Sequence, residues 1–300
     1  MAVATNLAQV TKSLAALYGS PTDHQHVLVA KRFLRPLVSP LLPQMGITEQ
    51  TSTPVQWLDL ASGSGVVPQE LQAVLSRDVL ENSTFLVSDL SPSLVELLNA
   101  RIAAEKWVGT SARVLNAMDT GLQDNSYTHV SVSMGLHLIP KPNDVLKEAI
   151  RILKPGGIFG ATTPVNDPSH SMWQPDLSSA FASFPFEAPF PNPCPAQLHD
   201  QGHWSDASWV ELHLKEQGFQ NVMVTVIRGK FHVEGAEDFM GIFGGMLMWL
   251  MNGWWSEELR AEHPVDEVKE LTQKYLEEKH GGKGWDLGWS IMYATGEVQK

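Results

Sequence analysis

The sequence predicts an α/β fold, namely a doubly wound, mostly parallel seven-stranded sheet with a mainly helical cap built from insertions. Apolar strand-like runs alternate with helix-like segments between residues 55 and 163, which is typical of a parallel sheet covered by helices. The first of these runs ends in a glycine-rich turn. Two long segments then interrupt the rhythm in the second half of the chain, which at 300 residues is long enough for one such domain and a cap.

Seven apolar runs bounded by turn residues are the predicted strands. They lie at residues 55–61, 84–90, 111–119, 127–135, 158–164, 221–227 and 289–298. Helical spacing of apolar residues predicts helices over residues 66–76, 91–107 and 143–153, and a further helix that starts at residue 205 and ends at Gly218. Ser91 and Asn143 are the candidate N-caps of two of them, and Pro92 would occupy the first helical position. The sequence KPGG at 154–157 predicts a turn into the fifth strand.

The predicted organisation has six segments. Residues 164–203 hold eight of the 19 prolines, so we expect irregular chain there, neither helix nor central strand. Between the sixth and seventh strands, far more residues are present than a hairpin needs. The segments are an N-terminal helical lid (1–50), a core (51–163), a proline- and aromatic-rich insertion (164–205), a core helix and strand (206–228), an apolar helical cap insertion (229–286) and a final core strand (287–300).

Composition narrows the choice of partners. A net charge of −12 repels polyanions and therefore disfavours nucleic acid. The single cysteine, Cys194, allows neither an intrachain disulfide nor a thiolate metal cluster. The first twenty residues lack the basic and unbroken apolar regions of a signal peptide, so we expect a cytoplasmic protein.

The segment from Phe239 to Trp255 contains no charge and one polar side chain. Its four glycines and acidic flanks disfavour a membrane span. Plain core or a dimer interface remains open, and either a monomer or a homodimer is possible. Methionine and tryptophan favour the wall of a pocket for an apolar small molecule, in an insertion that can fold over the carboxyl edge of the sheet. The predicted substrate contacts are Trp173, Met248, Trp249 and Trp254.

Three acids follow three successive predicted strands. Asp59 precedes a turn with Gly63 and Gly65, Asp89 ends the second strand, and Asp119 ends the third beside Met118. The carboxyl edge of such a sheet is where ligands bind, and an acid after the second strand can accept hydrogen bonds from ribose hydroxyls. Each acid alone could equally be solvated or cap a helix, but together they predict a nucleoside site. The turn lacks the third glycine of a dinucleotide fingerprint and any Walker lysine.

The stretches WLDLASGSGVV, FLVSDLSPSLVELL, NAMD, SYTHVSVSMGLHLIP and EAIRILKPGGIFGATTP resemble successive motifs of class I S-adenosylmethionine-dependent methyltransferases. The whole chain is similar, more loosely, to small fungal methyltransferases of secondary metabolism. The resemblance implies a Rossmann-like sheet in the order 3-2-1-4-5-7-6, with S-adenosylmethionine as the cofactor and S-adenosylhomocysteine as its product.

The resemblance also implies the cofactor contacts. Asp59 and the backbone of Gly63 and Gly65 would lie near the methionyl part. Ala61 replaces the first glycine of the family's turn, which is tolerable if its φ is negative. The remaining implied contacts are Asp89 at the ribose, Leu90 packed on adenine, Met118 and Asp119 at the adenine edge, and Met134 and Gly135 on the methyl side.

Transfer to a phenol, alcohol or amine needs a proton acceptor, whereas a thiol needs less help. His137, just past the fourth strand, is the first candidate base, although local scaffolding explains it equally well; His203 is the second. Tyr18 could fold over the cofactor or belong to the core. His199 and Asp200 could join His203 as metal ligands, but the sequence places no further strong ligand, so no metal is predicted.

The predicted function is therefore methyl transfer to an O, N or S atom of a small hydrophobic, secondary-metabolite-like molecule. Two alternatives keep the fold: a cofactor-binding cyclase or pericyclase that does not methylate, and a binding subunit with a degenerate site.

Overall fold

A computed structural model describes residues 30–300, and its centre is a seven-stranded sheet. The strand order is β3-β2-β1-β4-β5-β7-β6, which confirms the predicted order. The strands are β1 Gln56–Leu60, β2 Thr84–Asp89, β3 Thr110–Val114, β4 Tyr127–Ser133, β5 Leu153–Pro164, β6 Phe219–Val233 and β7 Trp285–Val298. The pairings that join β3, β2, β1, β4 and β5 are parallel, and β7 runs antiparallel to β5. The α/β, mostly parallel class is therefore confirmed.

The described residues fall into two compact units. The sheet unit comprises residues 30–165, 196–227 and 291–300, and the helical unit comprises residues 166–195 and 228–290. After a π-helical turn at Ala30–Leu34, the helices of the sheet unit are α1 Arg35–Val38, α2 Leu41–Gln44, α3 Val66–Val74, α4 Arg77–Asn82, α5 Pro92–Glu105, α6 Pro142–Ile152 and α8 Ala207–Glu216.

The sheet unit has a core of aliphatic side chains from the central strands and from the helices that cover them. Leu58 on β1, Val130 on β4 and Phe159 on β5 are fully buried in it. Ile152 of α6 and Leu214 of α8 pack into the same cluster. Burial on both faces explains why these strands are continuous apolar runs in the sequence.

Several local predictions need correction. Residues 154–157 are not a separate turn, because β5 begins at Leu153 and its register against β4 shifts there, so the glycines accommodate a bulge. Asn143 does not cap α6: Lys141 occupies the N-cap position, and His213 contacts the Asn143 side chain at 2.7 Å. Ser91 is the N-cap residue of α5, but its side chain makes no capping hydrogen bond. The sixth and seventh strands are both longer than predicted.

The helical unit contains a 3₁₀ turn at Pro168–His170 and five helices. These are α7 Gln174–Phe181, α9 Ala236–Phe243, α10 Gly245–Trp254, α11 Glu257–Glu262 and α12 Val265–His280. The expectation of irregular chain over residues 164–203 is wrong at α7. Pro175 lies in the first turn of that helix, where a missing N–H breaks no helical hydrogen bond.

The apolar segment Phe239–Trp255 divides into α9 and α10, with Gly244 between them. A Cβ at Gly244 would lie 2.4 Å from the Met240 carbonyl oxygen, so this position requires glycine. Within residues 30–300, no helix has both the length and the apolar character needed to cross a bilayer.

Two glycines with the same left-handed backbone provide a test of packing before β3. A Cβ at Gly109 would lie 2.6 Å from the Ser83 carbonyl oxygen, whereas Gly121 faces open space, and φ is +63° at both. We expect Gly121→Ala to cost about 1–2 kcal/mol from backbone strain alone. Gly109→Ala should cost a further ~1–3 kcal/mol because the rigid carbonyl cannot move away. Urea unfolding of both variants measures the difference; equal losses would contradict the predicted clash.

Candidate functional site

Two of the predicted acids lie at the carboxyl ends of neighbouring strands. Asp59 is the fourth residue of β1 and pairs in register with Val87 of β2 and Ser131 of β4. Asp89 is the last residue of β2. Since these strands run parallel, both carboxylates belong to the edge of the sheet at which open α/β folds bind ligands.

The Asp59 carboxyl is 1% exposed and only half satisfied. The Ser131 hydroxyl donates to Oδ1 at 2.5 Å, and the Trp57 indole N–H donates to the Ser131 oxygen at 2.8 Å. Oδ2 is buried without a hydrogen-bond partner among residues 30–300. Burial raises the pKa of Asp59 to about 7, with a smaller contribution from the charge of Asp89, against the lowering effect of hydrogen bonds from Ser131 and Ser62. A cationic ligand would satisfy Oδ2 and restore the carboxylate.

The glycine turn follows β1 and is tied to Asp89. Gly65 N–H donates to the Ser62 carbonyl at 2.8 Å and closes the turn. Gly63 N–H donates to Asp89 Oδ2 at 3.0 Å, and Ser91 N–H donates to Oδ1 at the same distance. Gly63 and Gly65 have φ of +54° and +82°, values that favour glycine. Helix α3 begins directly after the turn and presents its free N–H groups there.

Asp89 is held by these two backbone donors, so both of its oxygens are oriented. Burial raises the pKa of the Asp89 carboxyl, while the hydrogen bonds from Ser91 and Gly63 act in the opposite direction. The next residue, Leu90, is 62% exposed, which is unusual for leucine and leaves an apolar surface beside the acid. A carboxylate beside an exposed apolar side chain suits a ribose and its base.

Two non-glycine residues near the turn have left-handed backbones. Ala61 has φ of +52°, so the condition of a negative φ, under which a methyl group is tolerable at this position, is not met. Met134 has φ of +53° and is held by its N–H, which donates to the Thr162 carbonyl at 2.9 Å and hydroxyl at 3.0 Å. A Cβ at Gly135 would lie 3.4 Å from the Ala61 Cβ, so the chain after β4 passes directly beside the turn after β1. Such backbone strain is common at binding sites.

Met118 and Asp119 lie in a turn beyond the third strand. The prediction that Asp119 ends that strand is wrong, because β3 ends at Val114. Asp119 N–H donates to the Asn116 carbonyl at 3.0 Å, and the Asn116 side chain accepts from Met118 N–H at the same distance. Asp119 is exposed and Met118 is half-buried. Their contact with adenine stays a prediction.

His137 is a buried, neutral imidazole. Its pKa is lowered to about 3, first by burial and then by the neighbouring His199. Nδ1 is buried and has no hydrogen-bond partner within the described range. A group with this pKa is a weak proton acceptor at neutral pH. The role of His137 as a general base stays a prediction, and its environment argues against it.

The other candidate base and the candidate metal ligands lie nearby in sequence. His203 is exposed, with its ring edge-on to Trp209 at 5.8 Å between centroids. His199 Nδ1 accepts from Gln201 N–H at 3.2 Å, so Nε2 carries the proton and donates to the Leu136 carbonyl at 2.8 Å. Throughout the described ranges, no group of three or more His, Cys, Asp or Glu side chains is arranged to hold a metal ion.

Three of the predicted substrate contacts form one aromatic cluster in the helical unit. The Trp173 and Trp249 rings meet edge-to-face at 6.1 Å, and Trp249 meets Trp254 at 4.9 Å. Trp249 is 6% exposed, and its indole N–H has no acceptor in the part of the chain that the structure describes. Met248 is half-buried on the same helix, α10. Tyr18 lies outside the described residues.

Sequence reasoning missed the two serines that complete the Asp59 environment. Ser62 donates from its hydroxyl to the Asp59 carbonyl at 2.9 Å, and Ser131 donates to the Asp59 side chain. Ser131 lies on β4 in the middle of the sheet and is fully buried. A serine within a central apolar strand is a signal that could have drawn attention to it, because a buried hydroxyl requires a partner.

These features fit a nucleoside ligand that carries an amino acid. The orphaned Oδ2 of Asp59 suits an ammonium, the free N–H groups at the start of α3 suit a carboxylate, and Asp89 with Leu90 suits an adenosine. All of them belong to the sheet unit.

The chain is similar to known methyltransferases. Residues 58–161 match a family model described as a methyltransferase domain. Methyltransferase tpcH of Aspergillus fumigatus is 27% identical over 81% of this chain and 84% of its own length. Acetylaranotin bis-thiomethyltransferase of Aspergillus terreus is 26% identical over 82% of this chain and 83% of its own.

Solved structures share the fold. The YcgJ protein of Bacillus subtilis superposes with a TM-score of 0.51 at 11% identity, covering 88% of this chain and 99% of its own. The [4+2]-cyclase SpnF superposes with a TM-score of 0.50 at 14% identity, covering 97% and 93%.

The methyltransferase domain over residues 58–161 and the methyltransferase relatives identify an S-adenosylmethionine-dependent methyltransferase. Within that class, the chain is similar to fungal methyltransferases such as the two Aspergillus proteins. S-adenosylmethionine is its cofactor.

The Asp59 pKa generates a prediction for cofactor binding. If Oδ2 receives the cofactor ammonium, Asp59 must lose its proton, so affinity should rise with pH and level off above about 7. We expect calorimetry to show S-adenosylhomocysteine binding about tenfold more tightly at pH ~8 than at pH ~6, because the deprotonated fraction of Asp59 rises by about that factor.

Asp59→Asn is the matched control, because it keeps the shape and the Ser131 hydrogen bond. It should bind more weakly and lose this pH dependence. In the unliganded protein the folded pKa of Asp59, about 7, exceeds the ordinary 3.8, so folding stability falls as pH rises through that window. The variant should therefore melt a few degrees higher than wild type above pH ~7. An unchanged affinity profile would refute the ammonium contact.

Proposed function

We propose that this enzyme transfers a methyl group to a heteroatom, O, N or S, of a small and largely apolar secondary-metabolite-like molecule. The observation that carries the proposal is the tryptophan cluster of the helical unit, with its buried and unpartnered indole N–H at Trp249. Flat aromatic walls favour an apolar ring system, and one buried donor favours a substrate with an acceptor oxygen.

The adjoining methionines support the same class of substrate. Met246, Met248 and Met251 lie on α10 with Trp249 and Trp254. Methionine side chains adapt to irregular apolar shapes. The two Aspergillus relatives, one named for acetylaranotin, agree with a fungal small-molecule substrate.

Among the three heteroatoms, we favour sulfur. A thiol ionises within about two pH units of neutrality, whereas an alcohol needs a base throughout the reaction. His137, the first candidate base, has a pKa lowered to about 3 and so gives little assistance. The relative named as a bis-thiomethyltransferase supports the same choice.

The chain's own contribution to the reaction is binding and orientation. When bound, S-adenosylmethionine supplies a methyl group on a sulfonium that is already electrophilic. Asp59, Gly63 and Asp89 would hold the two ends of that cofactor, and the strained backbone at Ala61 and Met134 would set the wall nearest the reacting methyl. Within the helical unit, the tryptophan cluster would bind the acceptor through its aromatic faces.

The acceptor atom is tested with matched pairs of apolar aromatic substrates that differ only in a thiol or a hydroxyl. We expect the thiol to gain one CH₂ in mass, with equimolar S-adenosylhomocysteine, and to react at least about tenfold faster at neutral pH. The advantage should shrink as pH rises and the hydroxyl ionises. Equal rates would refute the preference for sulfur. A product without the mass gain would refute methyl transfer and favour cyclisation.

Trp249→Phe tests the substrate contact, because it keeps an aromatic ring and removes only the N–H. We expect KM for an oxygen-containing acceptor to rise about tenfold, with KM for S-adenosylmethionine unchanged. The control is Trp255→Phe, since the Trp255 N–H already donates to the Pro189 carbonyl at 3.0 Å. That variant should lose stability without a change in KM. Identical kinetics in the two variants would contradict a role for the Trp249 donor.

A further inference from the structure

A buried arginine, Arg101, lies behind the glycine turn. Arg101 belongs to helix α5 and is only 3% exposed. Its Nη1 donates to the Ser64 carbonyl oxygen within the turn, and its Nη2 donates to Gln69 Oε1 on α3 at 2.5 Å. One guanidinium therefore joins the turn to the helix that follows it.

The arginine itself is firmly held. Its Nε donates to Glu105 Oε1 at 3.0 Å, and its guanidinium lies 4.8 Å from the centre of the Trp107 ring. The Trp107 indole N–H donates to Glu105 Oε2 at 3.2 Å, and Lys31 Nζ forms an ion pair with Glu105 Oε1 at 3.1 Å. A buried cation is costly unless every donor is satisfied, so this arrangement is too specific to be incidental packing.

The same region of the chain presses directly against the turn. A Cβ at Gly65 would lie 2.7 Å from Leu98 of α5 and 3.1 Å from Trp107. The turn is thus packed against α5 with no space for a side chain. Arg101 donates a hydrogen bond to the Ser64 carbonyl oxygen. The N–H of the same peptide unit, which belongs to Gly65, donates to the Ser62 carbonyl oxygen. The orientation of that peptide is fixed from both sides.

Helix α5 also begins at the other half of the cofactor site. It starts at Pro92, directly after Asp89, Leu90 and Ser91, and Ser91 N–H holds the Asp89 carboxylate. One rigid helix therefore connects the acid and leucine proposed for adenosine with the arginine that fixes the glycine turn. The 14 residues of α5 span about 21 Å.

We propose that Arg101 is a positioning residue for the cofactor: it sets the glycine turn, which receives the amino-acid part of S-adenosylmethionine, at a fixed distance from the adenosine contacts at the start of α5. Arg101 acts through the backbone of Ser64 and Gly65 and does not itself touch the ligand. Lysine cannot replace it, because only the planar fork reaches Ser64, Gln69 and Glu105 together.

The test compares two ligands on the same protein by calorimetry. S-adenosylhomocysteine has the amino-acid part, and 5′-methylthioadenosine lacks it. In Arg101→Met we expect affinity for S-adenosylhomocysteine to fall about tenfold and affinity for 5′-methylthioadenosine to change less than about twofold. Arg101→Lys should show the same selective loss to a smaller extent, and it provides the comparison should the methionine variant not fold.

Arg260→Lys is the matched control, because Arg260 likewise donates from Nη1 to backbone carbonyls, those of Met251 and Trp255, at a helix end in the helical unit. It should bind both ligands as wild type does. Equal losses for both ligands in the Arg101 variants would show general loosening and overturn the proposal, as would unchanged affinity for S-adenosylhomocysteine. If the wild-type protein does not bind 5′-methylthioadenosine at all, the assignment of Asp89 and Leu90 to adenosine is contradicted instead.

Discussion

A buried carboxyl group with one unpaired oxygen, Asp59 Oδ2 at the end of β1, is the constraint on which the site depends. Ser131 from β4 and Trp57 from β1 itself secure only the other oxygen. Leaving such an atom dry and unpaired destabilises a protein, so the position makes sense only when a donor arrives from outside. Because β1 is the central parallel strand of the sheet, its neighbours on both sides help to define what that donor can be.

The backbone around Asp59 is strained in a consistent way. Ala61 after β1 and Met134 after β4 both adopt left-handed conformations that cost free energy without glycine. The Thr162 contacts compensate at Met134, and the closeness of Gly135 to Ala61 allows the two chain segments to pass each other. These two left-handed residues therefore accompany a close approach of the chain after β1 to the chain after β4, at the edge of the sheet where Asp89 also lies.

The chemistry assigned to this chain needs little from its side chains beyond position. A methyl group already activated by a sulfonium requires orientation and dryness, in contrast to reactions in which the protein must create the electrophile. In agreement with this, polar side chains at the site hold the backbone of the glycine turn in place. Asp89 accepts a hydrogen bond from Gly63 N–H, and Arg101 donates one to the Ser64 carbonyl oxygen. A neutral, buried His137 is also compatible with the proposed thiol acceptor, which needs little help from a base.

The sequence by itself determined the fold class, the strand order through family resemblance, and the acids and glycines of the turn, because apolar periodicity and turn residues are local signals. Strand ends were less well determined: β3 stops five residues before Asp119, and β5 extends back through the bulge near Gly156. Only the tertiary structure decided the positive φ of Ala61, the orphaned Oδ2 of Asp59 and the burial of Arg101 beneath the turn. Those properties arise from contacts between residues some 30 to 70 positions apart, such as Asp59 with Ser131 and Arg101 with Ser64, which no local pattern of letters records.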